Sequence, residues 1–183
     1  MQRCFWCNMK NSKYIEYHDK EWGIENFDDD YIFQMLILES FQSGLSWECV
    51  LNKRENFRVA FDGFDYKKIA EYDECKIALL CNDSGIIKNK LKISAAVNNA
   101  RVYIRLLADH GSFKNYLSRF WDGAVIYDNV SVTSPLSDAI SKDLKKKGMK
   151  FLGSTTVQSF LQAIGVVCAH NDYCFLHPSN INF

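Results

Sequence analysis

Donor residues for a metal stand at the two ends of this chain, and they constrain its fold more than anything between them. Cys4 and His18 lie near the start of the 183 residues, His170 and Cys174 near the end. Thiolates and neutral imidazoles suit zinc, and four such donors close a tetrahedral structural site with no open position for a reacting water. If these four share an ion, both termini must meet, and the loop closed in the unfolded chain is almost the whole polypeptide. Spacing alone leaves rivals in place. Cys4-Phe5-Trp6-Cys7 is itself a C-x-x-C, Cys168, His177 and His110 offer other donors, and the familiar paired C-x-x-C pattern is missing. Cysteines are also common as inert core residues. A redox-active C-x-x-C usually opens a helix after a strand, whereas this one has no strand before it.

At 48% hydrophobic residues the chain has ample material for one domain, or for two small lobes sharing a core, without disulfides. Seven cysteines, an odd number, and a start without the pattern of a secretory signal predict a reducing compartment, the cytoplasm. No apolar run approaches the roughly 18 residues of a membrane span, so no membrane partner is expected. A formal net charge of zero excludes a general polycation. Local basic clusters at Lys53-Arg54, Lys88 to Lys92 and Lys142 to Lys150 can track phosphates, or can be ordinary solvated helix faces.

Periodicity predicts an all-α fold. Asp29 or Asp30 caps a helix running to about Gln42, and Ser46 caps another carrying Val50, Leu51 and Phe57. Short helices follow Asp65 and Asp73. A long amphipathic helix begins near Lys88 and carries Ile93, Ala96, Val97, Ala100, Ile104 and Leu107, and Ser112 caps one with Tyr116, Leu117 and Phe120. Ser134-Pro135 opens a helix that Gly148 terminates. The last helix starts near Ser154 or Thr155, carries Val157, Phe160, Leu161, Ile164 and Cys168 on one stripe, and delivers His170 and Cys174 at its far end. Ala124 to Thr133 alternates as a strand would, or forms an irregular connection.

Glu39 is the residue that asks for a chemical explanation. Helical geometry puts it on the face of Ile32, Met35 and Leu36, where an unpaired carboxylate costs several kcal/mol or takes a raised pKa. The plain alternative is a side chain that escapes to solvent at the helix end near Gly44. Phe5, Trp6, Tyr14, Tyr17, Trp22 and Trp47 crowd the same regions. Aromatic rings are most often core, but rings beside a carboxylate also describe a slot for a flat, electron-poor base. Ser84-Gly85-Ile86-Ile87 reads as a turn between two helices, with N–H groups at the next helix start and Lys88 and Lys90 nearby to meet a phosphate.

Taken together, Arg3-Cys4-x-Trp6, Tyr17-His18-Asp19-x-Glu21-Trp22-Gly23, Leu38-Glu39 through Gly44-Leu45-Ser46-Trp47, Lys53-Arg54-Glu55-Asn56, Gly85-Ile86-Ile87, Leu144-Lys145-Lys146-Lys147-Gly148 and His170-x-x-x-Cys174 closely resemble the DNA-3-methyladenine glycosylase I family. The resemblance runs end to end. It implies an atypical helix-hairpin-helix DNA repair enzyme, with residues 29–125 as the helix-hairpin-helix lobe and residues 1–28 and 126–183 as the two parts of a zinc-binding lobe.

By that resemblance Cys4, His18, His170 and Cys174 are the ligands of one structural zinc ion, and Glu39 and Tyr17 the base-recognition pair, with Glu39 acting in recognition first and catalysis second. Trp47, Trp22, Tyr14 and Trp6 become the aromatic walls. Gln42-Ser43-Gly44-Leu45 becomes the segment pressed into the duplex, and Gly85, Lys88 and Lys90 meet its backbone.

The implied partner is alkylated double-stranded DNA, the product free 3-methyladenine, and the protein a monomer. Extrusion of the nucleotide exposes its glycosidic bond, and Leu45 fills the gap. The aspartate that helix-hairpin-helix relatives carry soon after the hairpin is missing here, since no acidic residue follows Asp83 until Asp109. Two alternatives stand beside this reading: a zinc-clasped module that binds damaged DNA without cutting, and a zinc hydrolase, which needs an open coordination position.

Overall fold

The computed structural model describes residues 1–180. Ten α-helices dominate among the described residues: α1 (Ser12–Lys20), α2 (Asp29–Gln42), α3 (Trp47–Asn52), α4 (Arg54–Ala60), α5 (Tyr66–Ala70), α6 (Glu74–Asn82), α7 (Lys90–His110), α8 (Phe113–Leu117), α9 (Pro135–Lys146) and α10 (Ser154–Ala163). Two-residue strands, β1 (Ile126–Tyr127) and β2 (Val167–Cys168), pair in parallel. The fold is all-α as expected.

Helix α2 is the axis of the molecule. Every residue from Ile32 to Phe41 is buried, because α3, α7, α8 and α10 pack around it. A helix that is apolar on all sides belongs inside a core rather than on its surface. Its N-cap is Asp28, one residue before the expected Asp29, and Asp28 accepts from the N–H of Tyr31 at 2.9 Å.

Side-chain caps set most of the other starts. Ser46, Asp65, Asp73, Asn89, Ser112 and Ser134 each accept from a first-turn N–H, and Ser134 closes a capping box with Ser137 ahead of Pro135. Helix α7 therefore begins at Lys90 rather than Lys88.

Several expected boundaries move. The helix capped by Ser46 stops at Asn52, so Phe57 belongs to α4, and Phe120 lies beyond the five-residue α8. Helix α1, with Asn11 as its cap, was not foreseen. The last helix ends at Ala163 instead of running through Cys168. Gly165 breaks it with φ +80°, and a Cβ there would collide with the backbone of Ile24 and Glu25. The chain then turns into β2, and His170 and Cys174 follow from this strand and the turn after it, not from a helix end. The alternation at Ala124 to Thr133 yields only β1, in register Ile126 to Val167 and Tyr127 to Cys168.

Candidate functional site

Cys4, His18, His170 and Cys174 are all buried, and one donor atom from each lies within 4.8 Å of every other. Cys4 Sγ is 3.4 Å from His170 Nδ1, and Cys174 Sγ is 3.5 Å from both His170 Nδ1 and His18 Nε2. Bonds of 2.0–2.3 Å to a tetrahedral ion give donor-to-donor edges of about 3.3–3.8 Å, and these three separations fall in that range.

The outer contacts fit as well. His18 Nδ1 meets Asp19 Oδ1 at 2.8 Å, and Arg3 holds Asp19 through two bonds of 2.7 and 2.6 Å. His170 Nε2 lies 3.2 Å from the carbonyl of Trp22. Such partners fix tautomer and ring plane in metal-binding histidines. Burial lowers both imidazole pKa values, that of His170 to about 4, which keeps them neutral donors. Burial also pushes the Cys4 thiol to about 12, so a thiolate there calls for a cation beside it.

This group can hold a metal ion. Cys7 is outside it, with its Sγ 3.8 Å from the carbonyl of Tyr14, and so are Cys168 in β2, His110 at the end of α7 and His177. No role had been assigned to Arg3 or Asp19. Their signal was adjacency, since Asp19 follows His18 directly in the chain.

Against the metal group stands an open cavity of about 180 Å³, lined by Trp6, Tyr14, Tyr17, Trp22, Glu39, Gln42, Trp47, Ser159 and Gln162. Trp22 belongs to both sites: its ring stands edge-on to His170 at 4.7 Å between centroids and to Trp6 at 4.6 Å. Trp6 also packs against His18 and Tyr14, and Tyr17 tilts against Trp47 at 5.0 Å. Five of the six aromatic residues expected around Glu39 thus meet in one place, whereas Phe5 is 81% exposed and lines a separate hollow.

Helix α2 delivers Glu39 to the cavity from within the core, with 3% of its surface exposed. Its Oε2 has no hydrogen-bond partner, nor does the buried Nε1 of Trp47. Burial pushes the carboxyl pKa up to about 8. Tyr17 rises well above the ordinary phenol value, chiefly by burial and then by the charge of Glu39. An orphaned carboxyl amid five aromatic rings, three of them indoles, favours a flat guest with positive charge, which repays the cost of ionising Glu39.

At the cavity rim, Gln42, Ser43, Gly44 and Leu45 leave the end of α2. Gly44 takes φ +80° with open space around it, and Leu45 is 43% exposed on the turn that results. Lys92 holds this rim from below, donating to the carbonyls of Phe41 at 2.8 Å and Ser43 at 2.6 Å. It does not join a solvated cluster with Lys88 and Lys90, which are exposed: Lys92 is buried, and burial lowers its pKa. The turn at Gly85 is secured by Asp83 Oδ1, which accepts its N–H at 2.7 Å, and by Lys53 and Asn56, which donate to its carbonyl.

A family model described as "Methyladenine glycosylase" matches residues 6–177. The chain is similar to "DNA-3-methyladenine glycosylase 1" of Escherichia coli (strain K12), with 39% identity covering 98% of this chain and 99% of that protein. A crystal structure of 3-methyladenine DNA glycosylase I superposes with TM-score 0.92 at 40% identity, covering 97% of this chain and all of the other. A tyrosine-to-phenylalanine variant of such an enzyme, solved in complex with 3-methyladenine, superposes with TM-score 0.90 at 33% identity, covering 100% and 99% of the two chains.

Proposed function

The chain belongs to the methyladenine glycosylase family, and from that membership we propose that it flips 3-methyladenine out of alkylated duplex DNA and hydrolyses its N-glycosidic bond. An abasic site remains. One observation carries the site assignment: a carboxyl buried without a partner on the floor of an aromatic cavity.

Methylation at N3 gives the nucleobase a positive charge and weakens its bond to the sugar. Glu39 and Tyr17 recognise the base, and Trp6, Tyr14, Trp22 and Trp47 wall it in. The four rings supply cation–π attraction, and Glu39, ionised by the charge it meets, supplies the counter-charge. Departure of the base then needs little activation beyond water and a site that prefers the cationic form.

Gln42, Ser43, Gly44 and Leu45 enter the duplex, where the exposed Leu45 fills the space of the extruded nucleotide. The turn at Gly85, with Lys88 and Lys90 exposed beside it, meets the backbone. Zinc is the ion we assign to Cys4, His18, His170 and Cys174, supported by the donor chemistry and edge lengths. Bound there it joins residues 1–28 to residues 126–183 as one lobe beside residues 29–125, and takes no part in hydrolysis, because four protein donors leave no open position.

No helix among the described residues is long and apolar enough to cross a membrane. Seven free cysteines support placement in the cytoplasm, where we take the protein to act as a monomer.

Release of free 3-methyladenine from alkylated duplex DNA tests the function. A protein that bound such DNA and released nothing would be a damage-binding module. For the site, Glu39→Gln should weaken binding of the free charged base by roughly tenfold or more while changing affinity for abasic DNA far less. Equal losses would remove Glu39 from base recognition.

A further inference from the structure

Lysines gather at the end of α9 and in the loop after it: Lys142, Lys145, Lys146, Lys147 and Lys150. All but Lys147 are fully exposed, and no ion pair among the described residues uses any of them. Lysines elsewhere do find carboxylates, as Lys20, Lys68 and Lys76 show at 3.1, 3.7 and 3.2 Å. The negative end of the α9 dipole accounts for Lys145 and Lys146 in its last turn. It accounts for neither Lys142, a turn earlier, nor Lys150, beyond the helix. Lys142 and Lys146, four residues apart, are like charges that repel, a cost that an anion laid across them removes.

The loop after α9 runs to the rim of the aromatic cavity. Asn99 of α7 brackets Lys150, donating to its carbonyl at 2.9 Å and accepting from its N–H at 2.8 Å, and Asn98 donates to the carbonyl of Gly148 at 2.7 Å. Met149 and Leu152 are buried on either side, so the exposed Lys150 stands on a loop anchored at both ends. Phe151 takes φ +57°, a left-handed conformation costly for a residue with a Cβ, and such strain persists where the surroundings enforce it. Its ring is 6.0 Å from the ammonium of Lys92, the group that holds the rim carbonyls of Phe41 and Ser43. A few residues on, Thr155 and Thr156 line a hollow with Leu45.

We propose that this lysine surface, from Lys150 back along α9 through Lys146 to Lys142, binds the phosphates of one arm of the duplex, the arm lying on the α10 side of the lesion. The inference rests on the glycosylase reading. The other lysines beside the rim, Lys88 and Lys90, flank the turn at Gly85, which Lys53 and Asn56 hold from the side of α4. The two groups thus grip the DNA on either side of the wedge at Leu45. A chain of zero net charge that concentrates unpaired cations beside that wedge is complementary to a polyanion there and not over its whole surface. Asn99 lies two turns along α7 from Lys92, roughly 10 Å. At about 3.4 Å per base pair, Lys150 meets the backbone about three pairs from the extruded nucleotide.

The double replacement Lys146→Gln with Lys150→Gln is the test. Both side chains are exposed, and the anchoring bonds at position 150 are made by its backbone, so the variant should melt with the parent and bind free 3-methyladenine equally well. Its affinity for a duplex containing an abasic-site analogue should fall roughly twentyfold, and its salt slope should flatten by about two ions. Single phosphates replaced in turn by uncharged methylphosphonates, along both arms, should cost the parent roughly fivefold about three base pairs from the lesion on one arm, and cost the variant nothing there.

Unchanged affinity and slope would overturn the surface, as would identical methylphosphonate profiles for the two proteins. Loss of affinity accompanied by a lower melting temperature or weaker binding of the free base would mark a role in folding, which also overturns it. Base release by the parent from alkylated DNA, run alongside, reads the underlying function separately, since the arms above are scored by binding.

Discussion

Glu39 keeps its proton in the folded protein to about pH 8, whereas in the unfolded chain it ionises near the ordinary glutamate value of 4.5. Between those values the native state binds the extra proton, so stability falls as pH rises. It is greatest below about 4.5 and the loss is complete above about 8. Glu39→Gln has no such proton, so its stability relative to the parent should increase between pH 5 and pH 8 by a few kcal/mol, on the order of 1.4 per pKa unit. Urea unfolding at the two pH values measures this, and parallel curves would mean the carboxyl is not desolvated. Glu39 was legible in the sequence because Ile32, Met35 and Leu36 precede it at helical spacing. Lys92 was not: its neighbours Lys88 and Lys90 are solvated, and the carbonyls that hold it, on Phe41 and Ser43, lie far away along the chain.

At the scale of elements, Lys92 ties the start of α7 to the C-terminal end of α2, where unpaired carbonyls carry partial negative charge. Lys92→Met keeps the bulk of the stem and removes both donated bonds. It should cost about 2 kcal/mol in chemical unfolding and slow base release by freeing the rim at Leu45. Full activity at reduced stability would separate the tie from the rim. Lys88, exposed beside the turn at Gly85, belongs to a different contact. Lys88→Ala should lower affinity across all sequences and flatten the dependence on salt by about one ion; an unchanged slope would take it off the backbone. Helix starts were readable because Ser46, Asp73, Ser112 and Ser134 announce themselves as caps. The end of α10 was misread because apolar residues continue past Ala163 into Val166 and Val167, and the break lies in the backbone of Gly165 rather than in the hydrophobic pattern. Helix α1 was missed because Ser12 to Lys20 is mostly polar and takes its support from Asn11 and from packing against α3.

Across the whole molecule, the metal group and the aromatic cavity are one mechanical unit. Trp22 touches His170 with its ring and its carbonyl, and Trp6 packs on His18. Cys174→Ser should therefore lower the bound metal below one ion per chain, cost at least about 3 kcal/mol of stability, and weaken binding of the charged base together with it. Metal analysis, thermal melting and base binding on the same preparation decide the matter, and unchanged stoichiometry would discard the ligand set.

Cys4 and His170 stand 166 positions apart along the chain, and His18 and Cys174 stand 156 apart, yet their donor atoms are neighbours. Contacts of such span form late in folding, because a long loop must close before they are made. The recess around Glu39, whose indoles lean on those two imidazoles, is therefore among the last parts of the molecule to take shape.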